Sequence, residues 1–368
     1  MHIGVLMTRP FLSRLPLIFV GLVLCVATIP AQAQWSSSSV FTEDGIEIGV
    51  DARVFSLFAT FNAVGYDIDS IVGPEPLLRP QYAAARQKLR GNLGRQVLQD
   101  IQNVVDKHPK PIAEYVRAVL ELGPAPKFES PKNASALAKA LAEPLREWFN
   151  EEGGAALLKN VSEDAKALQK KLLPIIDGAE KAATKLVRLG EASEQLLDDA
   201  GAEGRVLVVI NELDSHGTLH VIKTGDTTVV VAGPLRGAED EERLVNAAVF
   251  AYAKTLVSRE VKKVPVGGTL ADGFAKLGDV VRKRLGDDKA YAVELLACAV
   301  VRQGRPKAGC EGLSGDAAAD AALSSIAPRM ATYASSTTLF PAAVVGLLAA
   351  GAGAPPAAPA EAPKPGKK

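Results

Sequence analysis

The chain has 368 residues, with 42 Lys and Arg set against 42 Asp and Glu. That balance leaves no basic field for a nucleic acid and no polybasic patch for an anionic lipid surface. Its length accommodates one large domain or two small ones.

The first element in chain order is a secretory signal. Arg9 and Arg14 precede an apolar run from Leu15 to Ile29, followed by Ala31-Gln32-Ala33. A charged start, a short greasy segment and an A-x-A site predict export, with cleavage after Ala33 and a signal peptide over 1–33. An uncleaved anchor is the rival reading, but a spanning helix wants roughly 20 apolar residues, and Pro16 and Pro30 bracket a shorter run. Cys25 follows Leu24, where a lipoprotein site needs a small residue. Without Arg9 and Arg14 the exported chain stays near neutral, and no membrane span is expected in it.

Residues 34–200 read as mainly helical. A short hairpin about Asp44-Gly45 opens the region. Val54, Leu57, Phe58 and Phe61 then fall on one helical face. A long amphipathic helix is expected from about Gln81 to Lys107, ended by His108-Pro109 because the residue before proline avoids helical angles. Another helix runs to Leu122, and the proline-rich GPAPKFESPK connects it to three more over 133–200, broken near Gly153-Gly154 and near Pro174.

The texture changes at Arg205. RVLVVINEL, TLHVIKT and TTVVVAGPL are short β-branched runs separated by turn residues, which predicts a three-stranded antiparallel meander. A helix follows with acids Glu239–Glu242 in its first turn, suited to the positive end of the helix dipole. Val245, Val249, Tyr252 and Leu256 make its apolar stripe. Helices near 270–285 and 288–303 come next, then helical segments to about Ala350. The Ala/Pro/Gly/Lys-rich 351–368 reads as a disordered tail, since such composition buries too little apolar surface to offset chain entropy. The fold class is therefore α+β: mostly helical, with one small sheet in the 201–350 region.

The chemistry-bearing motifs are few. HGTLH holds His216 and His220 four apart, the spacing of a zinc helix H-E-x-x-H, with glycine in the second place. On a strand such residues stand roughly 13 Å apart, too far to share a zinc that binds nitrogen at about 2.0–2.1 Å. Gly217 and the flanking β-branched runs argue against a helix, so the pair reads as two hairpin histidines. His108 is the only other histidine beyond the signal. No G-x-S-x-G elbow, Walker loop or C-x-x-C occurs. Cys298 and Cys310 remain after signal removal, and in an exported chain they are expected to form a disulfide.

Several phrases share an order with a known family. Val50-Asp51-Ala52-Arg53, His108-Pro109, Trp148-Phe149, the strands at 205–233, the helix at 239–258 and AYAVELLACAVVRQ together resemble the exported gluzincin-type metallopeptidase-like family DUF4932, over about residues 40 to 305. The resemblance implies a zincin-like arrangement: a meander, a zinc helix, and a later helix donating a third ligand, here Glu294. The departure lies in the zinc helix. Asn246, Ala247, Ala248 and Ala251 stand where ligands and base would lie, and no histidine occurs from Glu239 to Glu260. The expectation is a non-catalytic relative, with Glu294 a vestige, no metal and no cofactor, that binds a peptide or protein by adding an extended segment beside the 227–232 strand. Two alternatives stand beside it: an active zinc peptidase drawing unusual ligands from His108, His216, His220 and Glu294, and a structural cell-envelope component. Oligomeric state is open.

Overall fold

The computed structural model describes residues 40–42, 45–64, 95–151, 153–187, 205–262, 269–310 and 312–351. The signal, the tail and the stretch 81–94 of the long amphipathic helix lie outside the described residues.

The opening hairpin pairs β1 (Val40–Phe41) with β2 (Ile46–Gly49), and Gly45 takes φ 111°, a left-handed conformation that glycine adopts without a Cβ penalty. Asp51 then caps α1 (Ala52–Ala63), its carboxylate accepting from the N–H of Arg53 at 2.8 Å and of Val54 at 3.2 Å. Every residue of α1 after Ala52 is buried, polar ones included. Ser56 and Thr60 tolerate this by donating their hydroxyls to the carbonyls of Ala52 and Ser56. Arg53 pairs with Asp51 at 2.6 Å and also donates to the Leu120 and Leu122 carbonyls, at 3.2 and 2.8 Å. The buried guanidinium thus ties α1 to the end of α3.

Helix α2 (Arg95–Lys107) stops before His108-Pro109 as expected, and α3 (Ile112–Leu120) follows. Over 133–187 the structure has two helices, α4 (Ala136–Glu151) and α5 (Gly154–Val187), not the expected break near Pro174. Proline removes one N–H, but Pro174 and Lys170 are exposed, so water can serve the freed carbonyl and the helix continues.

The strands after Arg205 are not a meander. β3 (Val206–Ile210), β4 (Leu219–Thr224) and β5 (Thr227–Ala232) join β1 and β2 in a mixed five-stranded sheet of order β1-β2-β3-β5-β4. β3 runs parallel to both β2 and β5, and only β4–β5 is an antiparallel hairpin here. The reason is the connection. Gly225-Asp226 is a two-residue turn, with Gly225 at φ 58°, and closes β4 onto β5. Asn211–Thr218 is longer and crosses the end of β5 instead. It is fixed there by Asn211 N–H to the Ala232 carbonyl (2.8 Å), Gly233 N–H to Thr218 (3.0 Å) and Gly217 N–H to Pro234 (3.0 Å). A Cβ on Gly233 would lie 2.1 Å from the Ser215 carbonyl oxygen, so no other residue fits without moving backbone.

Because β2 pairs with β3, the N-terminal helical region and the later region share one sheet. α6 (Ala238–Lys262) packs on β3 and β5, and α5 on β1 and β2. The expected 270–285 helix is two, α7 (Thr269–Ala275) and α8 (Asp279–Leu285), parted at Gly278. α9 (Asp288–Gly304) lies along α6, and α10 (Ala317–Ser335) and α11 (Phe340–Gly351) complete the helical layer. The fold is α+β and mostly helical.

Candidate functional site

The seam between α6 and α9 holds the positions that the resemblance makes into a metal centre. α6 starts where the sequence places it, with Lys171 of α5 paired to Glu241 in its first turn at 2.5 Å. From Leu244 to Ala253 every residue of α6 is buried, Asn246 included, so the helix passes through the core there. Ala247, Ala248 and Ala251 supply only methyl groups. Asn246 is buried, and its Oδ1 accepts from Nε of Arg305 just beyond α9. It is thus committed to a structural bond.

Glu294 sits on α9 and is 7% exposed. Its Oε1 accepts from Nζ of Lys254, two helical turns after Asn246 on α6. Oε2 has no hydrogen-bond partner among the described residues. A Cβ on Gly312 would fall 2.5 Å from that oxygen, so the backbone at Gly312 closes against the carboxylate. The Gly312 segment is pinned by the Cys298–Cys310 disulfide (Cα–Cα 5.7 Å) and by Arg284, which donates to the Gly312 carbonyl at 2.5 Å. Lys254 Nζ also stands 5.8 Å from the centre of the Phe250 ring, within reach of a cation–π attraction.

These residues do not fit a catalytic zinc, which takes three protein ligands and a water. The seam offers one carboxylate, and its neighbour is an ammonium that repels a dication. Among the described residues no three His, Cys, Asp or Glu side chains come together in a way that could hold a metal.

The histidines belong to a different place. His216 lies in the loop over β5, with Nδ1 at 3.2 Å from the Pro234 carbonyl. His220 lies on β4, its Nε2 at 2.8 Å from Oδ2 of fully buried Asp214, its ring 6.4 Å from that of Phe58. Asp214 Oδ1 accepts from the Ser215 N–H, and Asn62 of α1 donates to the Leu213 carbonyl. The polar, largely buried NELDSHGT segment is thus a folded crossing between strands. His108 follows α2, where its carbonyl accepts the Tyr115 hydroxyl.

One turn before Glu294, Tyr291 has its phenol pushed up to about 12, by burial first and by the Asp316 charge second. Asp316 caps α10. Burial raises its pKa, but backbone N–H groups of Gly278, Ala319 and Ala318 together hold it below the ordinary value.

Lys254 and Arg305 were missed by sequence reasoning. The one available signal for Lys254 is spacing: Asn246, Phe250 and Lys254 succeed each other at four residues, one face of a helix. Nothing in the sequence pairs Lys254 with a residue forty positions on. Comparison with protein-family models, curated proteins and solved structures found no match for this chain.

Proposed function

We propose that this is an exported protein of metallopeptidase-like build that performs no peptidase chemistry and works by binding a peptide or protein. The observation that carries the reading is the Lys254–Glu294 pair. The carboxylate in the third-ligand position pairs with an ammonium from the helix that would carry the zinc motif. Apolar Ala247, Ala248 and Ala251 fill the rest of the seam. The physical logic is consistent. Buried histidines without a metal would be unsatisfied at about 1–3 kcal/mol each, whereas methyl groups pack. Export rests on the signal-like N-terminus, and the disulfide is compatible with it. No helix among the described residues is long and apolar enough to cross a membrane.

On this reading an extended partner would not join the 227–232 strand. β5 lies between β3 and β4 and offers no free edge; the edge strands are β1 and β4. The interior position of β5 removes that strand as a peptide-addition site. A hydrolysis assay of the full chain on unfolded casein, with and without added zinc, tests the leading reading. No cleavage is expected. Cleavage abolished by His216→Ala and His220→Ala together would overturn it in favour of a peptidase with unusual ligands.

A further inference from the structure

Glu294 and Cys298 stand four residues apart on α9, on one face of the helix, and both meet the connection from α9 to α10. Cys298 is joined there to Cys310. Gly312 lies so close to the Glu294 carboxylate that a Cβ on it would stand 2.5 Å from both Cδ and Oε2. This contact is unfavourable for the carboxylate. Oε1 has Lys254, but Oε2 is buried with no hydrogen-bond partner among the described residues. A polar atom stranded in this way favours any state that lets water reach it by roughly tenfold to a hundredfold.

A few attachments oppose that opening. Arg302 donates from Nε to the Ala308 carbonyl at 3.2 Å, Arg284 donates to the Gly312 carbonyl, and Leu313 buries its side chain. The Arg284 bond is exposed and competes with water. The disulfide is the covalent attachment. A link across a sequence separation of 12 restricts the opened segment by about a hundredfold in the chain-entropy model. The stranded oxygen and the sulfur–sulfur bond are therefore opposing effects of similar size.

We propose that Cys298–Cys310 is a redox-sensitive latch: oxidised, it holds Gly312 over the Lys254–Glu294 pair, and reduced, it lets the segment about Gly312 lift so that water reaches Oε2. The reductant is a dithiol. Its thiolate attacks the Cys310 sulfur and displaces the Cys298 thiolate, and its second thiol then displaces Cys310. Two electrons and two protons pass to the chain, and the reductant leaves as its own disulfide. Cys298 is fully buried and Cys310 is 3% exposed, so attack waits for the connection to open. The same motion uncovers the sulfur and the carboxylate, and whatever favours opening makes the disulfide easier to reduce. The latch rests on the geometry of the seam and stands whether or not the chain is a peptidase relative.

The test is equilibration of the full chain with graded mixtures of reduced and oxidised dithiothreitol, the thiols counted by alkylation and mass spectrometry, joined to hydrogen exchange resolved by residue. The chain is expected to purify with the disulfide formed. On reduction the Ala308 and Leu313 amides, which bond the Arg305 and Cys310 carbonyls, should lose protection while those of Leu295–Val301 in α9 keep theirs. Glu294→Met removes the stranded oxygen and should make the disulfide about tenfold harder to reduce; Lys254, its side chain 40% exposed, stays solvated without its partner. Gly312→Ala drives a Cβ onto the carboxylate and should make reduction about tenfold easier, an effect that Glu294→Ala in the same chain abolishes. Free thiols in the purified chain overturn the proposal, and so do equal reduction constants for the wild type and Glu294→Met. Loss of α9 protection together with that of the connection also overturns it, since the disulfide would then staple the whole fold instead of latching one segment.

Discussion

Arg53 shows how much one side chain can organise when buried. The residue is 2% exposed, and its guanidinium is paired with the residue that caps α1 and bonded to two carbonyls near the end of α3. Asp51→Ala would remove the cap, worth about 1 kcal/mol, and also strand a buried cation. Breaking a buried pair from one side costs about 3–5 kcal/mol. Urea unfolding should show a loss in that range for Asp51→Ala, partly restored by adding Arg53→Met. Glycines give a second contrast. Gly233→Ala forces a Cβ onto the Ser215 carbonyl and should destabilise by about 1–3 kcal/mol or more. Gly178→Ala in α5 meets nothing within 4 Å and should stabilise by roughly 0.5–1 kcal/mol. The D-x-R phrase was visible in the sequence, but its ties to Leu120 and Leu122 were not, because they join segments far apart in the chain.

At the scale of elements, hydrophobic periodicity located most helices, and its errors have local causes. Pro174 reads as a breaker only if the carbonyl it frees has no water, and an exposed helix face supplies water. The meander was wrong because β-branched runs announce strands but not their neighbours. The eight residues of Asn211–Thr218 can reach past one strand, while the two of Gly225-Asp226 cannot. The packing of α8, α9 and α10 adds a pH dependence. Asp316 is held below its ordinary pKa, so its contribution is present above about pH 4 and is lost as pH falls through the lower folded value. Tyr291 is raised from 10.0 to about 12, so its contribution is full below pH 10 and declines as pH rises towards 12. Thermal unfolding across pH should therefore lose stability at both ends. Tyr291→Phe should flatten the alkaline limb, and Asp316→Asn the acid limb. An unchanged alkaline limb in Tyr291→Phe would remove the tyrosine from the account.

Across the whole molecule, the sheet joins segments more than 150 positions apart, with β2 beside β3. The helix class and the presence of a small sheet were legible from composition and periodicity. The parallel pairing was not, since it depends on which elements the long helical section carries back over the sheet. The candidate site was legible as an absence of ligands along α6. What occupies it instead, Lys254 against Glu294 beneath the disulfide-pinned Gly312, depends on contacts between helices that no local pattern encodes. The claim that the Glu294 carboxylate is paired with an ammonium and holds no metal is tested most directly by zinc titration of the full chain after exhaustive dialysis, followed by metal analysis. The account predicts no stoichiometric zinc retained, and no heat of binding that Glu294→Gln abolishes. One retained equivalent of zinc, lost in Glu294→Gln, would contradict it.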